Sequence, residues 1–276
     1  MMINRTLPVK GMKEMWKWES EKAKGVFVIV HGAGEYHVRY QWVVKQLTGL
    51  GYHVIMGDLP GQGTTEGPRG HVDRFSNYIN VVKSWLTEAR KYELPITLLG
   101  HSMGGLISIH TLMSLQKSEL PNVAILSSPC LGLVNNPPAY KKVASYVLNG
   151  VAPKVLFPSG LESGSGTRDE WMRKRDKADD RLIKHVSVRW YQELCKAMEK
   201  AHKNTDSLPD VPLLVTQGGD DRIVNKQEVK RWFDALPLTD KYYKEWPEVY
   251  HEVLNDPGKE EVLAHLLGFV TLHEAW

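Results

Sequence analysis

Apolar residues follow two alternating rhythms along this chain. Short β-rich runs take turns with stretches whose apolar positions recur every three to four residues. Val26-Phe27-Val28-Ile29-Val30 is a continuous apolar run ending at His31-Gly32, as expected of a strand covered on both faces. A helical stretch from Arg39 to Leu50 follows and stops at Gly51; His53 to Met56 is the next strand, running into Gly57-Asp58. Phe75, Tyr78, Ile79, Val82, Trp85, Leu86 and Ala89 then form one helical stripe. Pro95 to Leu99 reads as a strand, Met103 to Leu115 as a helix entered almost without a loop, and Val123 to Leu126 as a further strand. This alternation predicts an α/β fold with a mostly parallel central sheet flanked by helices.

The rhythm breaks after Leu126. From Leu131 to Ser207 no strand is evident: the segment is Pro-rich, then Gly/Ser-rich at Ser159 to Gly166, then densely charged. Alternation resumes with a strand at Pro212 to Thr216, a helix from Asn225 to Leu236, a strand at Lys241 to Trp246 and a last helix after Pro257. A core of residues 1–130 and 208–276 is therefore expected. Residues 131–207 are read as a helical cap, or lid, inserted over the carboxyl edge of the sheet, where open α/β sheets bind ligands. Within it Tyr140, Val143, Ala144, Val147, Leu148 and Val151 give an amphipathic helix, lying on its own core or facing an acyl chain or bilayer. Trp190, Tyr191, Leu194, Cys195 and Met198 form a second pattern, expected to pack beside the first. Arg173 to Arg175 are interspersed with acids and read as a solvated mixed-charge face rather than a lipid-phosphate site.

Composition narrows the function classes. The chain has 276 residues, 42% hydrophobic and 24% charged, and a net charge of +3, too even for nucleic-acid binding. Met1 to Ser20 lacks the apolar stretch of a secretory signal, and no run reaches the length of a membrane span. Cys130 and Cys195 stand far apart in no metal-ligand spacing, which suits free thiols and a cytoplasmic location. No metal or organic cofactor is implied.

The chemistry concentrates where Leu98-Leu99 runs into Gly100-His101-Ser102-Met103-Gly104-Gly105. This is Gly-x-Ser-x-Gly between a predicted strand and a predicted helix, the context of a nucleophile elbow. Side chains at Gly100 and Gly104 would collide with neighbouring elements in so tight a turn. An alcohol near neutral pH needs a base, and the base needs an orienting carboxylate, in chain order Ser, acid, His. Of the 11 histidines, His251 alone lies in the loop after the final strand and is the expected base. His31, His53, His101 and His110 suit structural roles; His185, His202, His265 and His273 lie on the insertion or the last helix; His37 and His71 lack the chain order. For the acid, Gln217-Gly218-Gly219-Asp220-Asp221-Arg222 offers two adjacent aspartates, of which Asp221 is favoured.

Attack on a carbonyl builds negative charge on oxygen, which needs prepositioned N–H donors. Met103 is the expected first donor. Ala33 in His31-Gly32-Ala33-Gly34-Glu35-Tyr36 is the second; that loop lacks the Lys-Ser/Thr pair of a phosphate-binding loop. In Asp58-Leu59-Pro60-Gly61-Gln62-Gly63-Thr64 the carboxylate is expected to accept backbone hydrogen bonds and shape the loop.

Taken together, His31-Gly32-Ala33-Gly34-Glu35 with Arg39-Tyr40, the serine motif, Gly218-Gly219-Asp220-Asp221-Arg222, Tyr250-His251 and Ser127-Ser128-Pro129-Cys130-Leu131-Gly132-Leu133 resemble the monoacylglycerol lipase and lysophospholipase branch of the α/β-hydrolases, nearest the bacterial YtpA-like phospholipases. The resemblance spans nearly the whole chain. It implies Ser102, Asp221 and His251 as the triad, with Ala33 and Met103 as oxyanion donors. One motif departs: the family's Gly-His-Gly-x-Ser is Gly61-Gln62-Gly63-Thr64-Thr65 here, which touches loop contacts and head-group preference. The expected activity is ester hydrolysis on a single-chain acyl lipid, a lysophospholipid first. A monoacylglycerol lipase, a general carboxylesterase and a non-enzymatic binding protein on the same fold are the alternatives. The expected partners are the acyl-lipid substrate and, transiently through the cap, the inner face of a membrane.

Overall fold

The protein was analysed as a computed structural model that describes residues 3–6, 15–135, 139–161 and 164–273. Its strands are β1 (Ile3–Thr6), β2 (Met15–Trp18), β3 (Gly25–Val30), β4 (Tyr52–Gly57), β5 (Ile96–His101), β6 (Val123–Ser127), β7 (Leu156–Pro158), β8 (His185–Ser187), β9 (Leu213–Gly218) and β10 (Lys241–Trp246). Its α-helices are α1 (Gln41–Gly49), α2 (Ser76–Arg90), α3 (Met103–Leu112), α4 (Ala139–Val151), α5 (Glu170–Ala178), α6 (Val188–Lys203), α7 (Lys226–Asp234) and α8 (Lys259–His273). Eight strands form one sheet in the order β1-β2-β4-β3-β5-β6-β9-β10. From β4 to β10 every pairing is parallel; β2 joins β4, and β1 joins β2, antiparallel.

Strand β3 shows why the interior strands are apolar throughout. Val26, Val28 and Val30 face one hydrophobic cluster with Tyr78 and Trp85 of α2, Leu106 of α3 and Trp232 of α7. Phe27 and Ile29 face the opposite cluster with Val44 and Leu47 of α1 and Leu266 and Phe269 of α8. Successive side chains point to opposite faces, so a strand sandwiched between helix layers needs apolar residues at both parities. Burying each large side chain contributes roughly 1.5–3 kcal/mol relative to exposure. Because β3, β5, β9 and β10 run parallel, the loops that follow them emerge at one edge of the sheet. That topology brings residues 31–36, 102–103, 219–224 and 247–258 together.

Two differences from the sequence reading stand out. Strands β1 and β2 extend the sheet from a stretch too polar to announce itself; Trp16 and Trp18 point inward and are buried, while Lys17 is partly exposed and pairs with Glu88. The stretch from Leu131 to Ser207 also contains a two-stranded antiparallel sheet, β7 with β8, beside α4, α5 and α6. Helix α4 spans the predicted amphipathic stretch. Tyr140 and Val143 lie outside the residues whose side chains are described; Ala144 and Leu148 border a cavity, whereas Val147 and Val151 are 66% and 77% exposed. Trp190 and Leu194 of α6 are buried, and Gln192 Nε2 donates to Ser145 Oγ, which ties the two helices together as the spacing predicted. No described helix is long and apolar enough to cross a membrane.

Candidate active site

Ser102 follows β5 directly and opens α3 with φ 54° and ψ −119°, a left-handed conformation costly for a residue with a side chain. Neighbours over-determine this geometry. Ser102 N–H donates to Ser127 O at 2.8 Å, and its carbonyl accepts from Cys130 N at 2.9 Å. A Cβ at Gly100 would run into Ser108 Oγ and the Gly104 carbonyl, and one at Gly104 into the Val30 and His31 carbonyls. Both glycines are therefore required by the close approach of β3, β5 and α3. The first N–H groups of α3 have no carbonyl partner within the helix, and Met103 carries the first of them beside the serine.

Asp221 and His251 meet across two loops. His251 Nδ1 lies 2.8 Å from Asp221 Oδ2 and donates to it, since an ionised carboxylate can only accept. The other oxygen, Oδ1, accepts from the N–H groups of Ile223 and Val224, each at 2.9 Å, and Gln217 Nε2 adds a bond to Oδ2 at 2.9 Å. Four donors thus hold the Asp221 carboxylate, whose side chain is fully buried. Asp220 points the other way: its side chain is 54% exposed and bonds Arg222. Burial alone would lower the pKa of His251, but the charge and hydrogen bond of Asp221 carry it above the ordinary histidine value. With Nδ1 committed, Nε2 is the nitrogen left to accept a proton.

His101 is the second imidazole here, its ring centroid 4.8 Å from that of His251. It bonds Ser127 Oγ at 3.1 Å, and burial lowers its pKa to about 4, so it stays neutral. The other early histidines make structural contacts: His31 Nε2 accepts from Leu59 N, His53 Nδ1 from Ser20 N, and His110 Nε2 bonds the Ala197 carbonyl. Asp58 accepts from the N–H groups of His37 and Thr64 and from Thr64 Oγ1, the loop-shaping role expected of it.

Ser102, Met103, Ala33, His101 and His251 all border one cavity of about 1070 Å³. Small-molecule pockets typically measure about 300–1,000 Å³, so this one suits a large ligand. Its apolar wall comes from the segment between β6 and β9: Leu148, Phe157, Leu182, Val186, Trp190 and Leu194. Asp221 stands behind His251, outside the lining.

The polar end of the cavity holds a cluster that the local sequence signals only in part. Arg39, 4% exposed, bonds Glu35 Oε1 at 2.9 Å and also contacts Glu252 and Asp176 of α5. Tyr40 Oη and Gly32 N–H donate to Glu35 Oε2, at 2.9 and 2.8 Å. Burial opposes charge on Glu35, yet Arg39 holds its pKa below the usual carboxylate range. Burial and the nearby Glu35 and Asp176 charges raise the pKa of Glu252 despite the same guanidinium. One buried cation thus joins the loop after β3, the loop bearing His251 and helix α5. Further ties run alongside: Glu252 N donates to Gly166 O, Thr167 Oγ1 to Asn255 O, and Arg168 Nε to Asp256 Oδ1. Glu35 and Arg39 stand in the motifs quoted above; Asp176 and Glu252 carry no signal in the sequence, because their meeting depends on the fold.

Comparison with known proteins follows the same lines. Residues 21–258 match the family described as Serine aminopeptidase, S33 (Hydrolase_4). Phospholipase YtpA of Bacillus subtilis is 45% identical over 248 residues, covering 90% of this chain and 95% of that protein. Monoglyceride lipase of Rattus norvegicus is 30% identical over 86% of this chain and 78% of its own length. Among solved structures, the monoacylglycerol lipase of Paleococcus ferrophilus superposes with a TM-score of 0.84 at 27% identity, covering 99% of this chain and 100% of its own.

Proposed function

The chain belongs to the Serine aminopeptidase, S33 family and is a hydrolase of the esterase and lipase type; from that premise we propose that it cleaves the acyl ester of single-chain lipids, lysophospholipids first, through Ser102, His251 and Asp221. The observation that carries this reading is that His251, bonded to buried Asp221, shares an apolar-walled cavity with a serine held on a strained elbow. In the proposed cycle Ser102 Oγ attacks the acyl carbonyl while His251 Nε2 takes its proton. The N–H groups of Ala33 and Met103 hold the tetrahedral oxyanion. His251 then protonates the departing alcohol, leaving an acyl ester on Ser102. Water, deprotonated by the same imidazole, attacks that ester and releases the fatty acid. Asp221 keeps Nδ1 protonated throughout and stabilises the imidazolium that forms at each attack.

Residues 131–207 serve in this reading as the cap over the acyl channel, since they supply the apolar wall. Exposed Tyr146, Val147 and Val151 on α4 give that cap a surface that can rest on a bilayer while substrate enters. The phospholipid reading is favoured by the YtpA relative, and the monoacylglycerol reading by the Paleococcus structure. Fatty-acid release from a panel of lysophospholipids, monoacylglycerols and diacyl phospholipids decides between them. The highest kcat/KM should fall on a lysophospholipid, with Ser102→Ala lowering turnover on the order of 10⁶-fold. Undiminished turnover in Ser102→Ala would sink the reading.

A further inference from the structure

Three consecutive residues, Gly32, Ala33 and Gly34, border the cavity beside Ser102. The two outer N–H groups are already committed. Gly32 N–H donates to Glu35 Oε2 at 2.8 Å, and Gly34 N–H donates to Gln62 Oε1 at 2.8 Å. The peptide plane that carries the Ala33 N–H is therefore held between two fixed planes. Gly34 adds a φ of +78°, open to glycine and strained for other residues.

Gln62 is itself built to stay in place. It is 1% exposed and sits between Gly61 and Gly63, both with positive φ. A Cβ at Gly61 would strike the His71 carbonyl, and one at Gly63 the Asp58 carboxylate and Tyr36. Gln62 N donates to Leu59 O at 2.9 Å, while Gln62 O accepts from Thr65 N and Thr65 Oγ1. The far end of its amide, Nε2, is buried without a well-formed hydrogen bond and faces the Tyr78 hydroxyl. That hydroxyl accepts from Trp190 Nε1 of α6 at 3.0 Å. Ile183 N–H meanwhile donates to Gly34 O at 3.1 Å. The 131–207 segment thus bonds the Ala33 loop directly at Gly34, and its Trp190 bonds the Tyr78 hydroxyl that Gln62 faces.

We propose that Gln62 is a positioning residue for acyl transfer: its side-chain oxygen fixes the Gly34 amide and so aims the Ala33 N–H at the oxyanion. This rests on the assignment of Ser102 and Ala33 in the reading above. Gln62 touches no reacting atom and acts through the loop, so its loss should affect the tetrahedral state and leave ground-state binding alone.

Gln62→Met keeps the side chain's length and removes the acceptor; Gln62→Glu keeps an oxygen for Gly34 N–H in either protonation state. On a long-chain ester, Gln62→Met should lower kcat about 30-fold with KM within about threefold, less than the 10²–10³-fold typical of deleting an oxyanion donor outright. The inhibition constant of a long-chain alkyl trifluoromethyl ketone, whose serine adduct carries the oxyanion, should rise by the same factor as kcat falls. Gln62→Glu should stay within about fivefold of the parent in both measures. Should Gln62→Met fail to fold, Gln62→Asn, which withdraws the oxygen by one methylene, should show the same joint loss. Unchanged kcat in a folded variant lacking the contact, or a kcat loss with unchanged ketone inhibition, would overturn the role of Gln62. A parent enzyme insensitive to the ketone, or a Ser102→Ala variant that still turns over, would instead overturn the acyl-transfer reading beneath it.

Discussion

Among the described residues, two histidine–aspartate pairs with a fully buried carboxylate share nearly identical geometry, and of these two, His251 borders the cavity. His251 Nδ1 lies 2.8 Å from Asp221, and His37 Nδ1 lies 2.9 Å from Asp58; both carboxylates are fully buried. Both carboxylates also accept backbone N–H groups, Asp221 from Ile223 and Val224 of its own loop, Asp58 from Thr64 of its own loop and from His37. The difference lies in what else each imidazole meets. His251 faces the cavity it shares with Ser102, whereas His37 stacks on Trp16 of β2 with ring centroids 3.6 Å apart. A carboxylate bond orients a histidine wherever it occurs; what the rest of the ring meets decides whether the pair can serve chemistry or ties strand β2 to a loop.

The strongest way to break this comparison is to remove each imidazole in turn. His251→Gln should lower kcat/KM on the order of 10⁵–10⁶-fold with little change in melting temperature. His37→Gln should leave kcat/KM within about threefold and cost about 1–3 kcal/mol in denaturant unfolding, as expected for losing a partner of a buried charged group. Equal effects on activity would erase the distinction. The carboxylates sharpen it next. Asp221→Asn should cost about 10⁴-fold in kcat, because the amide favours the wrong imidazole tautomer, while exposed Asp220→Asn should cost no more than a few-fold. A larger loss at Asp220 would reassign the acid.

The smallest effect is on pH. His251 must be neutral to accept a proton, and Asp221 raises its pKa above 6.5. Activity should therefore fall as pH drops through a midpoint above 6.5 in the parent enzyme. Asp221→Asn removes the raising charge and keeps the burial that lowers the pKa, so the residual activity should show a more acidic midpoint. Profiles of kcat/KM from about pH 5 to about pH 9 measure both. A midpoint that does not move would separate the acid limb from His251.

Much of this was legible in the chain because it is local or ordered. The Gly100 to Gly104 motif encodes its own turn, and both glycines meet the close contacts that the motif requires. Asp221 could be favoured over Asp220, and the structure separates them by burial and direction. The 131–207 segment was visible as a break in rhythm, but β7 and β8 were not, because three-residue strands are too short to show a period of two. Strands β1 and β2 were hidden for a related reason: β1 is four residues long, and β2 fully buries one face only, so the alternation in Met15-Trp16-Lys17-Trp18 is brief. Of the Arg39 cluster, Arg39 and Glu35 stand in motifs the chain displays, but their meeting with Asp176 and Glu252 was beyond reach. Its carboxylates lie at positions 35, 176 and 252, and only the sheet's topology makes them neighbours.

The backbone at Ser102 sets stability against activity at a single residue. At φ 54° and ψ −119° a hydrogen would be tolerated where a side chain is strained. Ser102→Gly would let that turn relax and would also delete the hydroxyl. The folded chain would thus be more at ease without the hydroxyl proposed as its nucleophile, and selection for thermal endurance alone would tend to discard it. The serine at this position therefore records a demand placed on the molecule from outside its own folding.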